Sequence, residues 1–468
     1  MTNTLSPDWL KSPADANALV PGVWPRTAHR NERGELMLGE VSTTSLASTF
    51  GTPLYVLDEN ETRSRATQIR QALDDACAIA GTRGFVYYAS KAFLSGAVVK
   101  WMIDAGVGVD VASLGELELA LAAGAQPANI GLHGNNKSDA ELNRAAEVGV
   151  GSIVIDSADE VARVAAVAKS HGIILSVRLR VNTGVHASTH EYLATSREDQ
   201  KFGVALSDAP AIVADIRSHP SLRFLGLHSH IGSQIFSDAG FIEAATRMLA
   251  VHRELLAGGP VPELNVGGGF GIAYTEADEP ADVPTLVASL VANFARQCVD
   301  RGIDVPAIAI EPGRSIIGTP GVTLYTVGTI KPVEVSTSNG ANVTRTYVSV
   351  DGGMSDNLRT AMYRADYSVT LANRTSDADP MLVRVVGKHC ESGDIVIRDA
   401  YLPSDLRAGD ILAVAATGAY CHSLSNNYNG LTRPAVVAVR GVEMTEIVRR
   451  ETLADLLARD MQLGRNTL

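Results

Sequence analysis

Cysteine is scarce in this chain of 468 residues: Cys77, Cys298, Cys390 and Cys421 lie far apart and form no Cys-x-x-Cys pair. That spacing fits a reducing compartment and excludes a zinc ribbon or a thioredoxin-type motif. Long apolar runs are missing too. No uninterrupted stretch approaches the roughly 20 residues that a bilayer crossing needs, so a soluble protein is expected. Positive charge is in deficit, with 40 Lys and Arg against 52 Asp and Glu and a formal net charge of -12. Nucleic-acid binding draws its affinity from clustered cations on phosphates, so such a surface is disfavoured. Acidic small molecules are not excluded, because they respond to a local pocket. The first twenty residues have neither a basic start nor an apolar stretch, and a cytoplasmic location is expected.

What is present is ordinary globular material, 46% hydrophobic and 20% charged, in a chain too long for one core. From about residue 85 to 315 one unit recurs: a short apolar β-rich run, a turn, then a stretch of helical periodicity. The runs begin at Phe85, Val107, Ile130, Ser152, Leu175, Phe224, Leu264 and Ala307. Eight such units predict an α/β fold with a closed parallel barrel, a doubly wound open sheet being the alternative. A ninth run, Leu54-Tyr-Val-Leu-Asp, is assigned to the barrel entrance. After residue 316 Val, Thr and Tyr alternate between Gly- and Asn-rich loops, which predicts a mainly β domain. The expected division is a barrel over 46–315 and a β domain made of 1–45 and 316–468, with a short amphipathic helix near the end.

The unusual residues fall at the C-terminal ends of the barrel strands, where barrel enzymes assemble their sites. Lys91 follows the first strand in Tyr-Tyr-Ala-Ser-Lys-Ala. Partial burial there would free its amine to condense with a carbonyl, while a lysine snorkelling from a strand end is the plain alternative. After the seventh strand, Asn265-Val-Gly-Gly-Gly-Phe-Gly carries glycines at 267, 268, 269 and 271. It is either a phosphate cradle or a glycine turn, and it lacks the Gly-Lys-Ser/Thr ending of a nucleotide P-loop. His228-Ser-His-Ile-Gly-Ser-Gln follows the sixth strand. One histidine can lie flat on an aromatic ligand while Ser233 bonds a phosphate; a metal is disfavoured because no acid or thiol ligand stands beside the pair. In Glu311-Pro-Gly-Arg314 the two charges either pair with each other or serve a heterocyclic N–H⁺ and an anion separately.

In the second domain Cys390-Glu-Ser-Gly-Asp394 joins a thiol to two carboxylates, with a buried inert cysteine as the alternative. Arg359 and Tyr363, four apart, can share one side of a helical turn and grip a carboxylate. Gly418-Ala-Tyr420 adds a phenol.

Six separated motifs, Tyr-Tyr-Ala-Ser-Lys, His-Ile-Gly-Ser-Gln, Gly-Gly-Gly-Phe-Gly, Glu-Pro-Gly-Arg, Cys-Glu-Ser-Gly-Asp and Gly-Ala-Tyr, occur in this order between Gly51 and about Arg433. In this the chain resembles the alanine-racemase-fold (fold type III) pyridoxal-phosphate-dependent decarboxylases, and within them the diaminopimelate decarboxylase family. The resemblance implies a β/α barrel followed by a β domain, pyridoxal 5'-phosphate as cofactor, and a homodimer with shared active sites. It implies Lys91 as the lysine that carries the cofactor, His230 against its ring, and Glu311 on its ring nitrogen. Ser233, Gly269 and Tyr420 would bind the phosphate, and Gly268 and Arg314 would be further cofactor-binding residues. Cys390 from the second subunit would return a proton to the substrate. Arg314, Arg359, Tyr363 and Tyr420 would contact the substrate, with the arginines and Tyr363 on its distal carboxylate and Glu391 on the neighbouring ammonium. The implied reaction converts meso-2,6-diaminopimelate to L-lysine and CO2, the last step of lysine biosynthesis.

Same-fold enzymes acting on carboxynorspermidine, ornithine or arginine are the first alternative. Ornithine decarboxylases carry Asp after the cysteine and lack the paired arginines. A catalytically silent regulatory relative and a racemase are further alternatives, against which Lys91 and the Cys-Glu pair speak. The chain departs from the family at Asn357-Leu-Arg-Thr, where Asn-Pro-Arg-Pro is usual, at Gly430-Leu-Thr-Arg-Pro, and at Lys388-His389, where a small or proline residue usually precedes the cysteine.

Overall fold

The computed structural model describes residues 5–185, 201–336 and 342–463. The chain forms two compact units, one of Arg63–Gly271 and Pro280–Ile316, the other of Met1–Thr62, Ile272–Glu279 and Ile317–Leu468.

The first unit is the barrel. Its strands are β1 (Gly84–Ala89), β2 (Gly108–Val111), β3 (Ile130–Leu132), β4 (Ser152–Ile155), β5 (Leu175–Asn182), β6 (Leu222–His228), β7 (Glu263–Asn265) and β8 (Ala307–Ile310). All eight apolar runs of the repeat are therefore strands. Every neighbouring pair is parallel, and pairing of β8 with β1 and of β4 with β5 closes the ring. The intervening helices start and stop on local signals. Ser138 and Glu141 form a capping box at the start of the helix Asp139–Val148, which ends on the left-handed Gly149 (φ 72°). Asp282 caps the helix Val283–Arg301, which ends on Gly302 (φ 66°). Within the strand layer Arg178 of β5, only 2% exposed, is 2.7 Å from Glu263 of β7 and packs its guanidinium over the Tyr87 ring.

The second unit is mainly β. Its main sheet runs Ile395–Pro403, Pro380–Val386, Asn342–Val350, Gly321–Ser336, Leu54–Asp58, Ala435–Arg440 and Glu443–Val448 in spatial order, with Ile411–Val414 also paired to Gly321–Ser336. A three-stranded sheet (His29–Arg30, Leu36–Leu38, Val41–Ser42) precedes the helix Thr43–Phe50. Their apolar residues join one core with Leu54, Val322, Ala413 and Val437. The expected C-terminal helix is Leu453–Leu457, capped by Thr452.

One assignment needs correction. Leu54–Asp58, assigned from the sequence to the barrel entrance, belongs to the other unit: it lies inside the main sheet of the β unit, antiparallel to Gly321–Ser336 and parallel to Ala435–Arg440. All five of its residues are buried, as in a strand covered on both faces, and residues 46–62 belong with it to the β unit. Among the described residues no helix is long and apolar enough to cross a membrane.

Candidate active site

At the C-terminal mouth of the barrel, Lys91 lies in the single turn Ser90–Ala92 directly after β1. Ser90 ties this turn to the end of β2 through a 2.5 Å hydrogen bond from its hydroxyl to the Asp110 carbonyl. The Ala89 N–H donates to the Pro312 carbonyl (3.2 Å), and Gly313 packs where a Cβ would press on Ala89 and Ala92. The turn bearing Lys91 is thus fixed against the loop bearing Glu311 and Arg314. The side chain itself is exposed, so the partial burial expected from the sequence is not found.

Glu311 follows β8 and is 6% exposed. One carboxylate oxygen accepts from the Asn265 amide (2.7 Å) and the other lies 3.1 Å from His228 Nε2. His133, after β3, places Nε2 3.4 Å from Glu311 and 3.4 Å from Asp110 of β2. Burial works to raise Glu311, but His228 and His133 beside it hold the carboxyl well below the usual range. Asp110 is pushed the other way, by burial and then by the charge of Glu311. Two carboxyl groups within reach of one imidazole are therefore split, one anionic and one ready to hold a proton. His133, His228 and Glu311 bring ligand atoms within 4.8 Å, a spacing that could hold a metal ion, yet both Glu311 oxygens already serve hydrogen bonds.

His230 lies just past β6, and its Nδ1 accepts from the Gly268 N–H at 3.3 Å. Burial, then the nearby Lys91 and Arg180, hold this imidazole well below its ordinary value, so it is neutral. The glycine run turns tightly beside it. A Cβ on Gly268 would overlap the Glu311 carbonyl, and one on Gly269, itself at φ 110°, would overlap the Gly232 carbonyl. Only glycine lets these strand ends approach so closely. Arg314 donates to Ser233 Oγ at 2.8 Å. Glu311 and Arg314 do not pair with each other; they turn to different partners.

Lys91, His230, Ser233, Gly268, Gly269, Glu311 and Arg314 are brought to one face of the barrel. Sequence reasoning missed four neighbours there: Asp110, His133, Asn265 and Arg180. The last is 3.9 Å from Asp156 and covers the Phe202 ring at 4.4 Å. Each is a polar residue at or just past the C-terminal end of an apolar strand, and that position was the available signal.

The β unit holds the other five candidates. Arg359 begins the helix Arg359–Tyr363 and is 6% exposed, its guanidinium over the Tyr274 ring at 4.7 Å and bonded to the Tyr367 hydroxyl. Tyr363, at the other end, is 46% exposed. Tyr420 is half-buried in a left-handed conformation (φ 67°). Cys390 is exposed, unlike the buried Cys77, Cys298 and Cys421. Glu391 beside it is exposed, and hydrogen bonds from the Gly393 N–H and the Ser392 hydroxyl lower its carboxyl.

The model of the pyridoxal binding domain of pyridoxal-dependent decarboxylases matches residues 60–318. The diaminopimelate decarboxylase of Mycobacterium tuberculosis is 46% identical over 452 residues, covering 95% of this chain and 99% of its own. This chain belongs to the diaminopimelate decarboxylase family. The Bacillus subtilis diaminopimelate decarboxylase is 42% identical, with 93% of this chain and 97% of the relative aligned. The M. jannaschii diaminopimelate decarboxylase, solved in complex with L-lysine, superposes with a TM-score of 0.86 at 30% identity, covering 95% of this chain and 99% of that one.

Pyridoxal phosphate is the family's cofactor, and the barrel mouth fits it. The donor set offers an amine, an anionic carboxylate for a ring N–H⁺, a neutral imidazole, and a glycine turn with a hydroxyl and a guanidinium for a phosphate.

Proposed function

We propose that this enzyme decarboxylates meso-2,6-diaminopimelate to L-lysine and CO2, the closing reaction of lysine biosynthesis, as a cytoplasmic homodimer. The observation that carries the reading is the convergence of Lys91, His230, the glycine turn and a Glu311 held as an anion on one barrel face. The relatives from M. tuberculosis, B. subtilis and M. jannaschii, each named diaminopimelate decarboxylase, support the substrate.

Bound pyridoxal phosphate supplies a sink for the electron pair left when CO2 departs. Lys91 is the residue whose amine would hold the cofactor. Glu311 keeps the ring nitrogen protonated, with His228 and Asn265 keeping Glu311 ionised and aimed. His230, neutral, would pack against the cofactor ring, Ser233, Gly269 and Tyr420 would hold its phosphate, and Gly268 and Arg314 would also contact the cofactor. Cys390 of one protomer delivers a proton to the substrate α-carbon in the barrel of its partner, where Glu391 meets the distal ammonium. Arg314, Arg359 and Tyr363 bind the distal carboxylate, and Tyr420 also borders the substrate. A shorter diamino acid leaves that guanidinium fork unpaired, which disfavours ornithine.

The test is product analysis after incubation of the purified protein with pyridoxal phosphate and meso-diaminopimelate, with ornithine in parallel. L-lysine and CO2 are expected, with ornithine turned over far more slowly. Equal turnover of ornithine would overturn the substrate assignment. Lys91→Ala is expected to abolish the absorbance band of the lysine-bound cofactor; a band that persists and is reduced by borohydride would remove Lys91 from its role.

A further inference from the structure

In the β unit, residues 352–357, 387–394 and 426–430 are knitted around one side chain, His389. Lys388 donates its N–H to the Gly352 carbonyl (3.0 Å), and Asn426 donates to the Ser355 carbonyl (2.9 Å). Asp394 accepts from the N–H groups of His389 (2.8 Å) and Met354 (2.6 Å). A Cβ on Gly353 or Gly387 would run into the Asp394 carboxylate, so both glycines are needed for this closure. His389 is 8% exposed, with Nε2 accepting the Ser355 N–H at 3.3 Å and lying 2.9 Å from its hydroxyl. Its ring stacks on Tyr428, with centroids 5.5 Å apart and planes 26° apart.

A backbone N–H can only donate, so Nε2 faces Ser355 as the acceptor. The next residue is Cys390. Its thiol is exposed, it is followed by the exposed turn of residues 391–393, and its N–H donates to Asn429 at 3.0 Å. An exposed side chain on a tight turn owes its position to what flanks it, and on the N-terminal side that is the clamped ring of His389.

We propose that His389 is a positioning residue that sets where the Cys390 thiol and the Glu391 carboxylate stand. The inference rests on the reading of Cys390 as the proton donor. Two properties of the ring are needed, an acceptor for Ser355 and a flat face for Tyr428, and they can be removed separately. His389→Phe keeps the face and loses the acceptor; His389→Gln keeps an acceptor and loses the face; Ser355→Ala loosens the partner.

A misplaced thiol leaves a chemical signature. A proton that misses the substrate carbon ends on the cofactor's carbonyl carbon, and hydrolysis by water then releases an aldehyde and leaves the cofactor as its amine. In the holoenzyme with meso-diaminopimelate, His389→Phe is expected to raise the misdirected fraction about tenfold while KM moves less than about twofold. His389→Gln and Ser355→Ala should fall between it and the parent. In cofactor-free protein, the rate at which iodoacetamide labels Cys390 should differ about threefold between His389→Phe and the parent, because the already exposed thiol is no longer held in one place. Cys77, Cys298 and Cys421 are buried, so peptide mapping reports Cys390.

Cys390→Ala is the control. If it raises misdirection while His389→Phe and Ser355→Ala match the parent in both measurements, the positioning role is overturned and the proton-donor reading stands. If Cys390→Ala leaves misdirection unchanged, the donor reading falls and takes this inference with it. Should His389→Phe not fold, Ser355→Ala alone decides, in the same two measurements.

Discussion

Glu311 concentrates the chemistry of the barrel mouth in one side chain, and its partners explain why a buried carboxylate there can stay ionised. With Asn265 at 2.7 Å and His228 at 3.1 Å, two hydrogen bonds replace the water it has lost. Glu311→Gln keeps the shape and loses the charge; kcat is expected to fall on the order of 10²-fold with the cofactor still bound, checked by steady-state kinetics alongside the absorbance of the bound cofactor. Arg359 is a different case. Its guanidinium is stacked on Tyr274 and Tyr367, so Arg359→Lys keeps a charge but loses both the planar fork and the stack. KM for diaminopimelate is expected to rise about tenfold or more, roughly the loss of one charge-assisted hydrogen bond; an unchanged KM would remove Arg359 from substrate binding.

At the level of elements, the barrel was readable because each strand is a short apolar run between turns, and eight runs in register imply eight strands. The glycine turn after β7 and the Glu-Pro-Gly-Arg loop after β8 were readable as well, since both are continuous in sequence. The network around Glu311 was not, because Asp110, His133, His228 and Asn265 come from four strands and become neighbours only on closure. Leu54–Asp58 failed for a related reason: a run of four buried apolar residues reads alike in a barrel and in the middle of a sheet, and partner choice is non-local. Inside the barrel, Arg178 and Glu263 tie β5 to β7. Arg178→Ala leaves a largely buried carboxylate unpaired and is expected to cost about 3–5 kcal/mol, measured by denaturant unfolding. Arg178→Met with Glu263→Gln should recover much of that loss.

For the molecule as a whole, Asp356 couples stability to pH. It is 1% exposed; burial, resisted by the Gly353 N–H and the Tyr325 hydroxyl, raises its carboxyl from 3.8 to about 7. The folded protein therefore holds a proton that the unfolded chain gives up, and this contribution to stability is full below about pH 4 and declines as pH rises to about 7. Asp356→Asn should remove that decline. The difference in Tm between variant and parent is expected to shift in the variant's favour from pH 4.5 to pH 7.5, and a constant difference would rule the linkage out.

The placement of Leu54–Asp58 also bears on how the protein is made. Both of its sheet neighbours, Gly321–Ser336 and Ala435–Arg440, lie far downstream of it. On a translating ribosome this apolar strand emerges with neither edge covered, and it stays so while the whole barrel is synthesised. The barrel strands, by contrast, meet most of their partners within one or two repeats. Nascent chains stalled before residue 321 should thus carry a folded barrel and a sticky N-terminal segment, the form most in need of a chaperone.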